Sequence, residues 1–296
     1  MGLAASSQLR ADLWLTLVAL IWGGTFVVVK GELAFVGPLT FVALRFAFAL
    51  LAMVVLTWRT LLRMGRRAMA AGSLIGVFLF GGYALQTLGL AHTTASKAGF
   101  ITGLSVVLAP IFGLFLLGQR PSPLALLGVA LATVGLALLT LTEGLSLAIG
   151  DLLVLGCAAS FALHIVAIGG FAPKMDTLAL TTAQIGVVAI SAAVSAAILE
   201  PLPPSLGART VVVAALMGLI ATAFALTVQN RVQQFTTATH TALVFSLEPV
   251  FAALFAFLLA GERLEGRQLL GCALILAGMV VAEVRRGRLD LVAGAR

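Results

Sequence analysis

Apolar residues run through this chain in ten long stretches, at about 12–30, 36–58, 69–91, 96–118, 122–141, 150–171, 178–199, 208–230, 240–260 and 265–284. Each is close to the ~20 residues a helix needs to cross the hydrocarbon of a bilayer. The polar stretches between them are short and leave no room for a soluble domain. The pattern predicts an all-α polytopic membrane protein with ten transmembrane helices.

The pattern also repeats. TTASKAGFITGLSVVLAPIFGLFLLGQR at 93–120 aligns without a gap on TTATHTALVFSLEPVFAALFAFLLAGER at 236–263, a constant offset of 143 residues. The same offset sets Gln86 on Gln229, Gly128 on Gly271 and Gly135 on Gly278. Near the start of each half the offset is 139: Asp12 falls on Asp151, Trp22 on Phe161, Thr25 on His164 and Arg45 on Gln184. Self-similarity over half a chain signals two copies of one unit. We read residues 1–11 as an N-terminal segment, 12–141 as the first five-helix repeat, 142–149 as a linker, 150–284 as the second repeat and 285–296 as a loose basic tail. Five is odd, so the second copy enters the membrane upside down. Inverted repeats of this kind are a signature of secondary transporters.

Composition agrees with a lipid environment. The chain is 61% hydrophobic and 10% charged, with a mean hydropathy of +1.16, where soluble domains carry about 25% charged residues. The net charge of +7 would suggest nucleic acid on a soluble chain, but here the cations sit at helix ends, so no nucleic-acid partner is expected. With the N-terminus inside, twelve Lys and Arg face the cytoplasm, five of them Arg59, Arg63, Arg66, Arg67 and Arg120, against five outside, Lys30, Lys97, Arg209, Arg263 and Arg267. That excess places both termini in the cytoplasm. Cys157 and Cys272 lie in apolar runs and read as packing residues.

Polar side chains in the hydrocarbon are costly, which makes them the candidates for function. Arg45 in the second run needs an acceptor. Glu248 is the carboxylate well inside a run, and an Arg45–Glu248 pair would satisfy both. His164 sits mid-run as an anion binder, a proton relay or a hydrogen-bonded packing residue. Tyr83 and Gln86 share a helix face, and Gln86 has its repeat mate in Gln229. Trp22 and Thr25 flank the paired glycines Gly23 and Gly24, which permit close helix packing or a local break. Pro110 and Pro249 weaken their helices and suit kinks or gating. Phe100, Ser105 and Phe245 complete the set of cavity candidates. Gly128/Gly135 and Gly271/Gly278 lie two turns apart and suit close contact between the copies or between protomers. Walker A, H-E-x-x-H, C-x-x-C and G-x-S-x-G patterns are absent from the sequence, so we expect no enzyme activity, no cofactor and no metal site.

The residues Trp22-Gly23-Gly24-Thr25-Phe26, Leu44-Arg45-Phe46, Thr94 to Leu104, Ser246-Leu247-Glu248-Pro249 and Gly261-Glu262 together resemble the drug/metabolite transporter superfamily in its EamA branch. The resemblance covers about 12–284. It implies a ten-helix basket around a central cavity lined by helices 1, 3, 4, 6, 8 and 9, with helices 5 and 10 outside. It implies alternating access in a bacterial inner membrane. Amino-acid exporters of the YddG type are nearest in character, implying export of aromatic and other neutral amino acids or related metabolites. Uptake or exchange of organic anions or phosphorylated metabolites is an alternative, as is efflux of cationic drugs, and Glu248 and His164 leave proton coupling open. Gln119 departs from the glutamate expected there from Glu262.

Overall fold

The computed structural model describes residues 2–93, 95–140, 148–201, 206–260 and 265–293. Among them no strand forms. The first copy holds α1 (Gly2–Glu32), α2 (Pro38–Leu62), α3 (Arg66–His92), α4 (Ala95–Gly103), α5 (Ser105–Leu117) and α6 (Pro123–Thr140). The second holds α7 (Ile149–Phe171), α8 (Thr177–Leu199), α9 (Ala208–Leu216), a π-helical segment (Met217–Phe224), α10 (Ala225–Val232), α11 (Ala238–Phe245), α12 (Glu248–Ala260) and α13 (Gly266–Ala293). A short 3₁₀ turn, Ala172–Lys174, follows α7. The fourth apolar run is thus α4 plus α5, the eighth α9 through α10, and the ninth α11 plus α12. Among the described residues eight helices are long and apolar enough to cross a membrane, and the fifth and tenth runs form shorter apolar helices, Pro123–Leu138 and Gly266–Ala282. The tail expected to be loose continues α13 as helix to Ala293, and helix also begins as early as Gly2. The linker residues 142–147, Thr94, and Gly261 with Glu262 lie outside the described residues.

Local chemistry sets the helix ends. Ser122, Asp176 and Thr237 each accept from a backbone N–H three residues on, at 3.1, 2.9 and 3.3 Å, as N-caps do. Gly118 closes α5 in the left-handed region at φ +66, which a glycine adopts without steric cost. The start of α2 has no side-chain cap of its own. Instead Glu200, at the end of α8, accepts from Leu39 N (2.7 Å), Thr40 N (2.9 Å) and Thr40 Oγ1 (2.7 Å). A carboxylate on a helix N-terminus also meets the positive end of its dipole. Glu200→Ala should therefore destabilise the protein by about 2 kcal/mol, the size of a lost cap on a charged acceptor. A thermal midpoint in detergent equal to wild type would show that water replaces the cap without loss.

The packing shows how the copies are related. A Cβ added at Gly128 would stand 2.6 Å from the carbonyl oxygen of Gly278, and one at Gly135 would stand 2.6 Å from that of Gly271. The residue nearer the start of α6 therefore meets the one farther along α13, so these helices cross antiparallel. Because Gly128 corresponds to Gly271 in the repeat, an antiparallel pair means inverted copies. The other contacts follow the same symmetry. α3 packs on α7, and its counterpart, α10, packs on α1; α5 packs on α7, and α12 on α1; α2 packs on α8. The glycines thus join the two copies, one of the two placements open to them.

Candidate functional site

Both copies break a helix at the same place. α4 ends at Gly103 and α5 starts at Ser105; α11 ends at Phe245 and α12 starts at Glu248. Gly103 aligns with Ser246 and Ser105 with Glu248, so the interruptions are repeat mates. Pro249 sits in the first turn of α12, where its missing N–H costs nothing, and it cannot donate back to Phe245. Pro110 lies one turn inside α5 and is buried there, so it does not mark the break of its own copy.

The two breaks face a cavity of about 60 Å³. A single water needs roughly 10–15 Å³ by the same measure, so this conformation admits a few waters. Its wall comes from α1 (Trp22, Thr25, Phe26), α3 (Leu79, Tyr83, Gln86), α4, Ser105, α7 (Phe161, His164, Ile165), Gln229 and the break at Phe245, Ser246, Glu248 and Pro249. These are runs 1, 3, 4, 6, 8 and 9. Runs 5 and 10 pack on each other instead. Nine of the ten cavity candidates lie on this wall: Trp22, Thr25, Tyr83, Gln86, Ser105, His164, Gln229, Phe245 and Glu248. Phe100 does not. On α4 the face with spacing i, i+3, i+4 toward the cavity is Gly99, Thr102 and Gly103; Phe100 is turned about 100° from Gly99 and packs against the apolar cluster of α1, α5 and α11. Phe224 of the π-helical segment is half exposed and lies edge-on to Trp14, centroids 6.3 Å apart.

The π segment supplies a junction that periodicity does not reveal. Its Ala221 carbonyl accepts from the Trp22 indole N–H at 2.8 Å and from the Arg45 guanidinium at 3.0 Å. The wider turn of a π segment alters the regular hydrogen-bond ladder, and such segments often occur at functional sites. Arg45, 3% exposed, also donates through Nε to Thr222 Oγ1 (2.6 Å) and through Nη2 to the Tyr83 hydroxyl (3.3 Å), over whose ring it sits at 4.9 Å. Gly218 lets α2 come this close, since a Cβ there would stand 2.5 Å from the Arg45 carbonyl. Arg45 therefore does not form the pair with Glu248 that the sequence allows. It lines a separate cleft of about 20 Å³, which shares Thr25, Phe26, Tyr83 and Gln86 with the main cavity as a partition. Neutral partners closer than Glu248 satisfy it.

The remaining polar groups divide into occupied and open. His164 Nε2 and Gln184 Oε1 are 2.7 Å apart, and both side chains are buried. Gln86 donates to Thr102 at 3.3 Å, and Gln229 donates to Gln233 at 2.9 Å. Thr25 and Ser246 donate to the Trp22 and Leu243 carbonyls. Gln229 Oε1 is buried with no donor, and Glu248 has no hydrogen-bond or ion-pair partner among the described residues. Gly23 packs against the start of α12, where a Cβ would stand 2.7 Å from the Glu248 carbonyl oxygen; Gly24 faces the Phe255 ring. The pair serves close packing, with α1 continuous through it. Thr102, Ser246 and Thr222 were not among the cavity candidates, although the first two lie in stretches that carry the family resemblance. Each is a lone hydroxyl in an apolar run, and two flank a helix break.

Both ends of α1 are tied down. At its start Asp12 Oδ1 meets His240 Nε2 of α11 at 2.7 Å. At its finish Lys30 Nζ donates to the Leu90 and Thr93 carbonyls at 2.6 and 3.2 Å, and the buried Glu32 accepts from Thr210 and Arg209 at 2.9 and 3.2 Å. Asp151, the repeat mate of Asp12, likewise receives Thr93 Oγ1 at 2.5 Å. The two acids are thus repeat mates that each hold a residue of a neighbouring helix, although His240 and Thr93 are not themselves mates.

Comparison with known proteins places this architecture. Two uncharacterized transporters of Archaeoglobus fulgidus are similar to the chain: one is 34% identical and aligns over 96% of this chain and 89% of its own, the other is 26% identical over 94% and 98%. A solved crystal structure superposes with a TM-score of 0.79 at 22% identity, covering 95% of this chain and 99% of that one, which shows a shared fold. The profile of the EamA-like transporter family matches twice, over residues 9–141 and 148–283, and the chain therefore belongs to the EamA-like transporter family, as a membrane transporter built from two copies of one helical unit.

Proposed function

We propose that the chain is a secondary transporter that exports amino acids, aromatic and other neutral ones, or related small metabolites, through the cavity between α1, α3, α4, α7, α10 and α11. It works as a carrier, without enzyme chemistry. The observation that supports this most is the pair of helix breaks at equivalent repeat positions facing one small polar cavity. Inverted copies have two nearly equivalent ways of packing, each opening the site to one side. The Asp12–His240 contact closes the end where α1 begins, and Lys30 with the Thr93–Asp151 contact closes the other. In this reading the membrane is the bacterial inner membrane, both termini are cytoplasmic, and the two closures alternate.

Organic anions fit this wall less well. Among the described residues its one Asp, Glu, Lys or Arg side chain is Glu248, and Arg45 lies behind the partition. Proteoliposomes loaded with labelled phenylalanine or threonine should show saturable efflux. A response to an imposed pH gradient would assign proton coupling, and an unchanged rate would assign uniport. Absence of saturable flux from folded protein would remove the amino-acid assignment.

A further inference from the structure

The cavity wall mixes engaged and open hydrogen-bonding groups. Several of its donors are engaged: the Trp22 indole with Ala221 O, and the hydroxyls of Thr25 and Ser246 with main-chain carbonyls, while the Ser105 hydroxyl and the Tyr83 O–H have no acceptor among the described residues. The wall also holds open acceptors, one of them its carboxylate. Glu248 presents a carboxylate without a partner among the described residues, and Gln229, 1% exposed, holds Oε1 without a donor. The nearby cation faces elsewhere, since the Arg45 donors go to Thr222, Tyr83 and Ala221. Around the acceptors stand four aromatic rings in two pairs, Trp22 with Phe245 (centroids 5.0 Å) and Tyr83 with Phe161 (5.5 Å).

A buried acceptor with no donor costs free energy until a ligand or water supplies one. A carboxylate beside aromatic faces suits a group that carries positive charge and several N–H donors, through charge-assisted hydrogen bonds and cation–π attraction. We propose that the substrate group this site recognises is a protonated amine, held by Glu248 and Gln229 Oε1 among these rings, and that a carboxylate on the substrate is not required. The inference rests on the transport cavity proposed above and narrows its substrates to small ammonium compounds, of which amino acids are one kind. The asymmetry of the repeat explains why one ammonium is bound rather than two: the mate of Glu248 is Ser105, a neutral hydroxyl on the same wall.

The test uses three compounds with the same ring: 2-phenylethylamine, phenylalanine and 3-phenylpropionate. Their binding to the full-length protein in detergent is measured by isothermal titration, and their flux in proteoliposomes. The amine and the amino acid are expected to bind, and the acid at least tenfold more weakly. Glu248→Gln should weaken binding of both amines by roughly 10- to 100-fold, the range of one charge-assisted hydrogen bond, with Glu248→Asp recovering part of it. Equal binding of the acid and the amine to wild-type protein would overturn the proposal, and that comparison needs no variant. Unchanged amine binding in folded Glu248→Gln, or no binding of any of the three, would overturn it as well. Glu248-dependent amine binding without flux would uphold the recognition while removing the transport reading. Flux of the acid equal to that of the amine would do the reverse.

Discussion

Gly135→Leu is expected to destroy the packing of α6 against α13 and to lower stability by about 3 kcal/mol or more. A Cβ at this position would already meet the Gly271 carbonyl oxygen at 2.6 Å, the Ile275 side chain at 2.9 Å and the Ile275 nitrogen at 3.0 Å. Two of those three atoms are backbone, so no rotamer change relieves the clash and the helices must separate. Overpacking a tight contact commonly costs 1–3 kcal/mol, and here two helices of different copies lose their seam. In a bilayer that seam depends on van der Waals contact rather than on a hydrophobic driving force, so a gap is not recovered by burying apolar surface elsewhere. Gly31→Ala is the matched control: nothing lies within 4 Å of its Cβ site, and it should leave the thermal midpoint unchanged or raise it slightly. A monodisperse Gly135→Leu protein with the wild-type midpoint would show that the two copies do not need this contact.

His164→Ala is expected to cut transport by tenfold or more while the protein still inserts and folds. The imidazole is 2% exposed, lines the cavity, and is held by Gln184 at 2.7 Å. Removing it also leaves the Gln184 amide, whose Nε2 already lacks a partner, without any hydrogen bond. That adds a stability loss of about 1–3 kcal/mol, so the midpoint must be measured beside the flux. Gln184→Met separates the two effects, because it keeps the imidazole and removes its support; its flux should fall less than that of His164→Ala. Gln86→Ala should act in the same direction as His164→Ala, more weakly, since its bond to Thr102 is long at 3.3 Å. Wild-type flux from folded His164→Ala and Gln86→Ala would remove this wall as the transport site.

The cavity wall was legible because burying polar groups in hydrocarbon is expensive. Tyr83, Gln86, His164, Gln229 and Glu248 stand out against apolar neighbours for that reason alone, as does Arg45 behind the wall. The partners were not legible. Arg45 and Glu248 look like a natural ion pair along the chain, yet Arg45 reaches Thr222 and a carbonyl of the π segment instead. A short aliphatic sequence such as MGLIATAF gives no sign of π geometry, which arises where α2 and α1 insert donors from the side. Phe100 failed as a lining residue because one phenylalanine in an apolar helix looks like another until the helix is rotated into place.

By itself, then, the sequence determined the membrane class, the ten apolar runs and the two inverted copies, because each follows from local hydrophobicity and period. The tertiary structure decided what faces what. It set Gly128 on Gly278 and Gly135 on Gly271, broke both copies at the same repeat position, turned Arg45 away from the cavity and left Glu248 open within it. The physical reason is that, in lipid, apolar faces do not select one another by hydrophobicity. Helix rotation and depth are chosen by close packing at small residues and by the few polar groups that must find partners, and those partners lie on other helices, at separations that no local pattern encodes.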